Sequence, residues 1–265
     1  MKFKFITYDK KNHVARVTIN RPEVMNALHP RASRELCEAF DDFDYDEDCW
    51  IAVITGSGER AFCAGNDLKY QSKVGSNVWM KERAKIGKGG SGGITSRFDC
   101  CKPIISAVNG FALGGGFEIV LASDIVIAAE HALFGLPEPT VGFIPGSGGV
   151  HRLPRQIPLK IAMGLMMTGK RITAHEALAI GLVNEVCSLE NLESVTEKWI
   201  NAILACAPLA IRGIKQCVLE GLDEPLEKAF LEKKYSIQQQ LYKSEDFTEG
   251  PLAFAEKRKP QWKGR

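Results

Sequence analysis

The chain has 265 residues, of which 45% are hydrophobic and 25% are charged, and its formal net charge is +2 at pH 7. This composition is typical of a globular protein with a substantial buried core, and the near-neutral charge gives no reason to expect a nucleic-acid partner. No apolar run approaches the roughly 20 residues that span a bilayer, which excludes a membrane-spanning helix.

The eight cysteines are even in number, as a disulfide framework requires. The chain is nevertheless large and begins without a secretory-leader pattern, so we expect reduced thiols and a cytoplasmic protein. No C-x-x-C pair occurs and histidine is sparse, so the sequence predicts no metal site.

The N-terminal third predicts a β-hairpin, a helix and a buried strand. The opening KFKFITYDKKNHVARVTINRP alternates apolar and polar residues around a turn at 10–12. A helix is predicted over 30–43, and IAVITG at 51–56 is typical of a buried strand. The predicted helix has one apolar side, formed by Leu36, Ala39, Phe40 and Phe43.

The next segment combines a turn signal with a long stretch of weak pattern. Gly65, Asn66 and Asp67 indicate a turn before a helix-like segment, and the short Asp67 carboxylate suits a turn-forming role. Residues 71–98 show the weakest pattern and predict a lid, a binding loop or a disordered loop. The apolar KPIISAVNG then predicts another strand.

The centre of the chain reads NGFALGGGFEIVLASDIVIAAEHALFGLPE. Three glycines, Gly114 to Gly116, precede an apolar segment of helical length, and such a helix start favours negative charge. Glu118 and Glu138 bracket a strand predicted over 124–128, so both can reach one pocket, whereas Asp124 is interpreted as structural. Two carboxylates beside an anion-stabilising backbone indicate proton transfer next to a carbonyl.

Three motif matches lack the context that they require. The glycine-rich 87–92 satisfies G-x-G-x-x-G, but no strand precedes it and no apolar helix follows. The segment 164–170 resembles a phosphate loop, but Arg171 replaces the hydroxyl residue of that motif. Ser147 has the wrong spacing for a nucleophile elbow, so we interpret it as part of a backbone turn.

The motifs AFCAGNDL, AVNGFALGGGFE, DIVIA and FGLPEPTVGFIPGSGG occur in this order along the chain. Together they resemble the enoyl-CoA hydratase/isomerase (crotonase) family over nearly the whole length. The resemblance implies an α/β fold with a crotonase-like stacked ββα spiral core at 1–195 and a C-terminal helical trimerisation region at 196–265. From residue 152 onward the pattern itself is helical.

Family resemblance implies a hydro-lyase that adds water to an enoyl-CoA, as in fatty acid β-oxidation. The backbone amides of Asn66 and Gly115 would form the oxyanion hole. Glu118 would activate water and Glu138 would exchange a proton with the α-carbon. No cofactor is implied beyond coenzyme A, which is part of the substrate.

The resemblance also implies substrate contacts and a partner subunit. The acyl-CoA would lie along 66–69, under Ala27 and Leu28, and in a homotrimer or a dimer of trimers the tail residue Lys257 would reach a phosphate of the neighbouring subunit's ligand. The other expected substrate-binding residues are Ala64, Asn66, Asp67, Leu68, Lys69 and Gly115.

Three alternatives stay open at this point. The segments GGSGGITSRFDCCKP and EGPLAFAEKRKPQWKGR also resemble carnitinyl-CoA (crotonobetainyl-CoA) dehydratases. The substrate of such an enzyme carries a quaternary ammonium group, which would need an aromatic or acidic neighbour. The available aromatic residues are Tyr70, Trp79 and Phe98. An enoyl-CoA double-bond isomerase needs only one of the two glutamates. A non-enzymatic binder of coenzyme A or RNA is disfavoured by the pair of glutamates. Leu136, where some short-chain hydratases have glutamine, predicts a less polar pocket beside Glu138.

Overall fold

The computed structural model describes residues 2–265, which form two compact units. The first unit comprises the chain up to Phe98 together with Ile104–Thr196, and the second comprises Asp99–Pro103 and Glu197–Arg265.

Ten strands form two sheets in the first unit. A six-stranded sheet has the order β1-β2-β3-β5-β7-β10, and a four-stranded sheet has the order β4-β6-β8-β9. The strands are β1 Ile6–Lys11, β2 Val14–Ile19, β3 Ile51–Gly56, β4 Ala61–Cys63, β5 Ile104–Val108, β6 Phe111–Leu113, β7 Ile125–Ala129, β8 Leu133–Gly135, β9 Ile172–Thr173 and β10 Glu185–Cys187.

Twelve α-helices are present in the described residues. They are α1 Pro30–Tyr45, α2 Leu68–Val74, α3 Ser76–Arg83, α4 Gly115–Ala122, α5 Gly149–Gln156, α6 Leu159–Thr168, α7 Ala174–Ala179, α8 Leu192–Leu204, α9 Pro208–Gly221, α10 Leu226–Ala229, α11 Ser236–Leu241 and α12 Glu245–Ala255.

A repeated strand–strand–helix unit builds the core. In each of the pairs β3–β4, β5–β6 and β7–β8 the first strand joins the large sheet, the second joins the small sheet, and helices follow. Strands β2, β3, β5, β7 and β10 run parallel to one another, with Val53 beside Ile105 and Ile105 beside Ile125. Parallel strands covered on both faces need continuous apolar residues, which explains the runs IAVITG and IISAV.

Helix α1 confirms the predicted apolar face, because its four predicted side chains have 0% exposure. The helix begins at Pro30, which lacks the amide hydrogen that a first-turn residue leaves unpaired. The His29 Nδ1 accepts a hydrogen bond of 3.0 Å from the Ala32 amide and caps the helix. The predicted hairpin is also confirmed, but its turn lies at Asn12 and His13, both of positive φ, and not at 10–12, because Lys10 and Lys11 still pair with the second strand.

Two interpretations of the sequence need correction. The stretch 71–98 is not a loop throughout, because it contains the end of α2, all of α3 and a 3₁₀ turn at Ser91–Gly93. The region after residue 152 is not helical throughout, because β9 and β10 add strands to the two sheets. Strands of two or three residues are too short to show an alternating pattern.

The second unit consists mainly of helices α9 to α12. Within the described residues no single helix is long and apolar enough to cross a membrane, and only the pair Leu189–Leu204 and Pro208–Gly221, bent by 98°, reaches that length and composition together.

Candidate active site

The glycine-rich turn between β6 and α4 lies directly against the segment that follows β4. Gly65 has φ +86°, and a Cβ atom there would lie 2.7 Å from the Leu113 carbonyl oxygen and 2.9 Å from the Gly115 nitrogen. Gly114 has φ +54°, a left-handed conformation that favours glycine. Glycine at these positions therefore brings two backbone segments into close contact.

This contact places two backbone amides side by side. Leu28 pairs with Asn66, since the Leu28 amide donates to the Gly65 carbonyl at 2.7 Å and the Asp67 amide donates to the Leu28 carbonyl at 3.0 Å. The Asn66 nitrogen lies 3.9 Å from the position that a Cβ of Gly115 would occupy. In the part of the chain that the structure describes, neither the Asn66 nor the Gly115 amide donates to a protein acceptor. Both are available to an oxygen that gains negative charge.

Glu118 is held by a turn that precedes α5. The side chain is only 2% exposed, and its Oε1 accepts hydrogen bonds from the amides of Ser147 at 2.6 Å and Gly149 at 2.9 Å. Glu118 lies in the first turn of α4, where the partial positive charge of the helix start stabilises an anion.

Glu138, which follows β8, also lies close to the glycine turn. It begins a 3₁₀ turn, Glu138–Val141, between two prolines. Its Oε1 lies 3.1 Å from the position that a Cβ of Gly114 would occupy, so the carboxyl group covers this glycine. The buried Oε2 has no hydrogen-bond partner, and the neighbouring Leu136, with 0% exposure, offers no polar group.

Both glutamates and both amides open onto one cavity of about 290 Å³. A cavity of this size suits the reacting part of a small acyl group. Six of the residues predicted for the site line it: Ala64, Asn66, Leu68, Gly115, Glu118 and Glu138.

Residues 9–265 match the protein family described as "Enoyl-CoA hydratase/isomerase". The carnitinyl-CoA dehydratase of Proteus mirabilis (strain HI4320) is 40% identical over 258 residues, covering 96% of this chain and 97% of the relative. That of Salmonella arizonae is 42% identical over 254 residues, covering 95% of each. The solved enoyl-CoA hydratase of Mycobacterium tuberculosis H37Rv has a TM-score of 0.89 at 36% identity, covering 98% of this chain and 99% of that chain.

The chain belongs to the enoyl-CoA hydratase/isomerase family. A second solved structure, the enoyl-CoA hydratase of Bacillus anthracis, has a TM-score of 0.91 at 34% identity and covers 99% of this chain and 100% of that chain. The predicted family and the predicted crotonase-like α/β fold are thereby confirmed.

The surroundings give the two glutamates of this family member different acidities. Burial raises the pKa of Glu118 above its usual value, while the amides of Gly149 and Ser147 and the charge of Arg152 oppose that rise. Burial raises the pKa of Glu138 to about 7, and the negative charge of Glu118 adds to the rise. A glutamate with two donors beside one with a partnerless oxygen is suited to act as base and acid, respectively.

The remaining predicted residues are not part of the cavity lining. Asp67 is a helix cap, because its Oδ1 accepts from the Tyr70 amide at 2.9 Å and its Oδ2 pairs with Arg21 at 2.9 Å. This confirms the turn-forming role. Ala27 and Leu28 are buried, Lys69 is exposed on α2 outside the cavity lining, and Lys257 belongs to the second unit. Their contacts with a substrate stay predictions.

Sequence reasoning missed most of the cavity wall. Most of the additional lining residues come from α3 and from the stretch after Glu138, and they include Trp79, Met80, Arg83, Val141, Phe143 and Ile144. Only Trp79 was considered, as an aromatic neighbour for a cationic substrate. The signal that could have found the others is the cluster of large apolar residues immediately after the Glu138 motif. Asp124 is structural as predicted, since its Oδ2 accepts from the Ile104 amide at 2.7 Å.

Proposed function

We propose that this protein is an enoyl-CoA hydratase, which reversibly adds water to a trans-2-enoyl-CoA and gives the 3-hydroxyacyl-CoA. One observation carries the proposal: two backbone amides without a protein acceptor, a buried carboxyl group and a half-buried one line the same cavity. Membership of a family of hydratases and isomerases supports it.

The amides of Asn66 and Gly115 would hold the thioester oxygen. When a nucleophile attacks C3 of the enoyl group, electron density moves through C2 to this oxygen, and an enolate forms. Fixed N–H donors stabilise that charge without reorganising, and one such donor contributes about 3 kcal/mol to lowering the barrier.

The two carboxyl groups divide the proton transfers. Glu118, as the carboxylate, takes a proton from water while the water oxygen bonds to C3, and Glu138, as the acid, delivers its proton to C2. The elements of water are thereby added, and proton exchange with solvent restores both groups. The reaction forms one C–O bond and moves protons, with no net gain or loss of electrons, so we expect no metal or redox cofactor beyond the coenzyme A of the substrate.

Replacing Glu118 with Gln tests the assignment. We expect the rate of crotonyl-CoA hydration to fall at least about 100-fold, because the base is removed. The rate is measured as the loss of absorbance of the conjugated thioester. Exchange of the α-proton with deuterated solvent should persist through Glu138. The matched control Glu130→Gln, at an exposed turn position, should retain full hydration.

The same variant separates hydratase from isomerase. If Glu118→Gln still converts an enoyl-CoA to product at the wild-type rate, water activation by Glu118 is wrong, and double-bond isomerisation through Glu138 is the better assignment. Wild-type protein that changes no enoyl-CoA, from crotonyl to long-chain thioesters, would contradict both.

A carnitinyl-CoA dehydratase is the second candidate, because relatives of that name are 40–42% identical. Trp79, 4% exposed in the cavity wall, could face a quaternary ammonium group, whereas Arg83 in the same wall would repel it. The ratio of kcat/KM for crotonobetainyl-CoA and crotonyl-CoA distinguishes the candidates. A preference for the betaine thioester that Trp79→Leu abolishes would favour the dehydratase.

We also propose a cytoplasmic homotrimer or dimer of trimers, in which Lys257 reaches a coenzyme A phosphate of a neighbouring subunit. The second unit exposes large apolar side chains that subunit contacts could cover, including Leu219, Leu222, Leu226, Phe230 and Leu231. A monomeric mass in solution would contradict the oligomer and the Lys257 contact.

A further inference from the structure

Arg152, a residue without a role in the proton transfers, lies behind the turn that holds Glu118. It belongs to the first turns of α5, and its amide donates to the Gly148 carbonyl at 2.8 Å. Its guanidinium is half-buried, with Cζ 5.3 Å from the centre of the Phe98 ring and Nη1 3.5 Å from the Ser147 carbonyl oxygen. This cation is therefore fixed by the same short segment that contacts the carboxylate.

The turn at 147–149 contacts both Glu118 and Arg152. The amides of Ser147 and Gly149 donate to Glu118, at 2.6 and 2.9 Å. Gly148, with φ +106°, lies against the Arg152 guanidinium, which also donates to the Ser147 carbonyl oxygen. The guanidinium and the carboxylate are therefore joined through the same three residues.

Arg152 supplies positive charge near Glu118. Burial disfavours the ionised form of Glu118, whereas the Gly149 and Ser147 donors and the charge of Arg152 favour it. The attraction is mutual, since Glu118 is the charge that favours the protonated state of Arg152. Glu138 and Arg83 are the other charged residues that line this cavity.

We propose that Arg152 is a positioning residue that holds the 147–149 turn against Glu118 and keeps this carboxylate ionised for water activation. The inference rests on the proposed hydratase function, in which Glu118 must accept a proton. Arg152 acts through Glu118 and the turn, and it touches no reacting atom.

Arg152→Gln and Arg152→Lys test the proposal through the pH profile of crotonyl-CoA hydration. We expect Arg152→Gln to lower kcat about tenfold or more and to move the acidic limb of the profile upward by about one pH unit, with KM changed less than about twofold. Arg152→Lys should restore most of both, because it keeps the charge. Arg155→Gln, exposed on the same helix, is the matched control and should match the wild type.

If Arg152 has a purely structural role, Arg152→Gln will lower activity without moving the acidic limb of the pH profile. That result overturns the proposal and leaves the hydratase activity of the wild type unaffected. A wild type without hydratase activity overturns the proposed function. In that case carbon-13 NMR titration of the Glu118 carboxyl still decides the inference, because an equal pKa in wild type and Arg152→Gln overturns it. If Arg152→Gln does not fold, the same titration is made on Arg152→Lys, because the shorter lysine reaches the Ser147 carbonyl less well. The pKa of Glu118 must then be somewhat higher in Arg152→Lys than in the wild type, and an equal pKa overturns the proposal.

Discussion

Replacing Glu138 with Gln should make the protein more stable at pH 8 than the wild type. The wild-type side chain is half-buried, its buried Oε2 has no hydrogen-bond partner, and its pKa is raised to about 7 from an ordinary value of 4.5. Glutamine has nearly the same shape and carries no charge, so the cost of keeping a carboxylate in this environment disappears.

The pH dependence gives the expected size of the effect. Below pH 4.5 the carboxyl group is protonated in the folded and the unfolded chain, so its ionisation costs nothing. As the pH rises through 4.5 to 7 the unfolded chain loses this proton first, and the wild type loses stability progressively. At about 1.36 kcal/mol for each pKa unit the full cost above pH 7 is about 3 kcal/mol, and partial exposure of the side chain reduces it to about 2 kcal/mol.

Urea denaturation of wild type and Glu138→Gln at pH 4.5, 6 and 8 measures the difference. The variant should gain about 2 kcal/mol relative to the wild type between the lowest and the highest pH, while hydration falls because the proton donor is lost. The matched control Glu130→Gln replaces an exposed side chain and should change the free energy of unfolding by less than about 0.5 kcal/mol. A difference between wild type and Glu138→Gln that does not change with pH would refute the reasoning.

Hydration by the wild type should slow about tenfold for each pH unit above about 7, since Glu138 then lacks the proton that it delivers. A pH profile of kcat/KM measures this decline. A flat profile up to pH 9 would contradict the prediction. Gly65→Ala should lower kcat about 100-fold by displacing the adjacent amide. The control Gly75→Ala changes a glycine that also has positive φ, +78°, but has open space around it, so this variant should lower stability and leave kcat unchanged. Arg21→Met should destabilise the fold by about 3–5 kcal/mol in urea denaturation, because it leaves the Asp67 carboxylate buried without its cation, and a loss below about 1 kcal/mol would argue against that.

Local signals in the sequence were sufficient for much of the core. The apolar face of α1 and the strands β3 and β5 are continuous patterns of five residues or more, and their side chains are buried as predicted. Strands β4, β6, β8 and β9 contain only two or three residues each, so no periodicity marks them. The small sheet exists because each of these strands finds its partner across the fold.

The sequence by itself determined the family, the glycine turn and the two glutamates, because these depend on residue types at fixed short spacings. Only the tertiary structure decided what surrounds them. The donors that hold Glu118 come from 29 and 31 residues further along the chain, and the wall residue Trp79 comes from a helix that precedes the glycine turn. The acidity of Glu138 depends on its burial and on a neighbouring charge, and both arise when distant segments pack and exclude water.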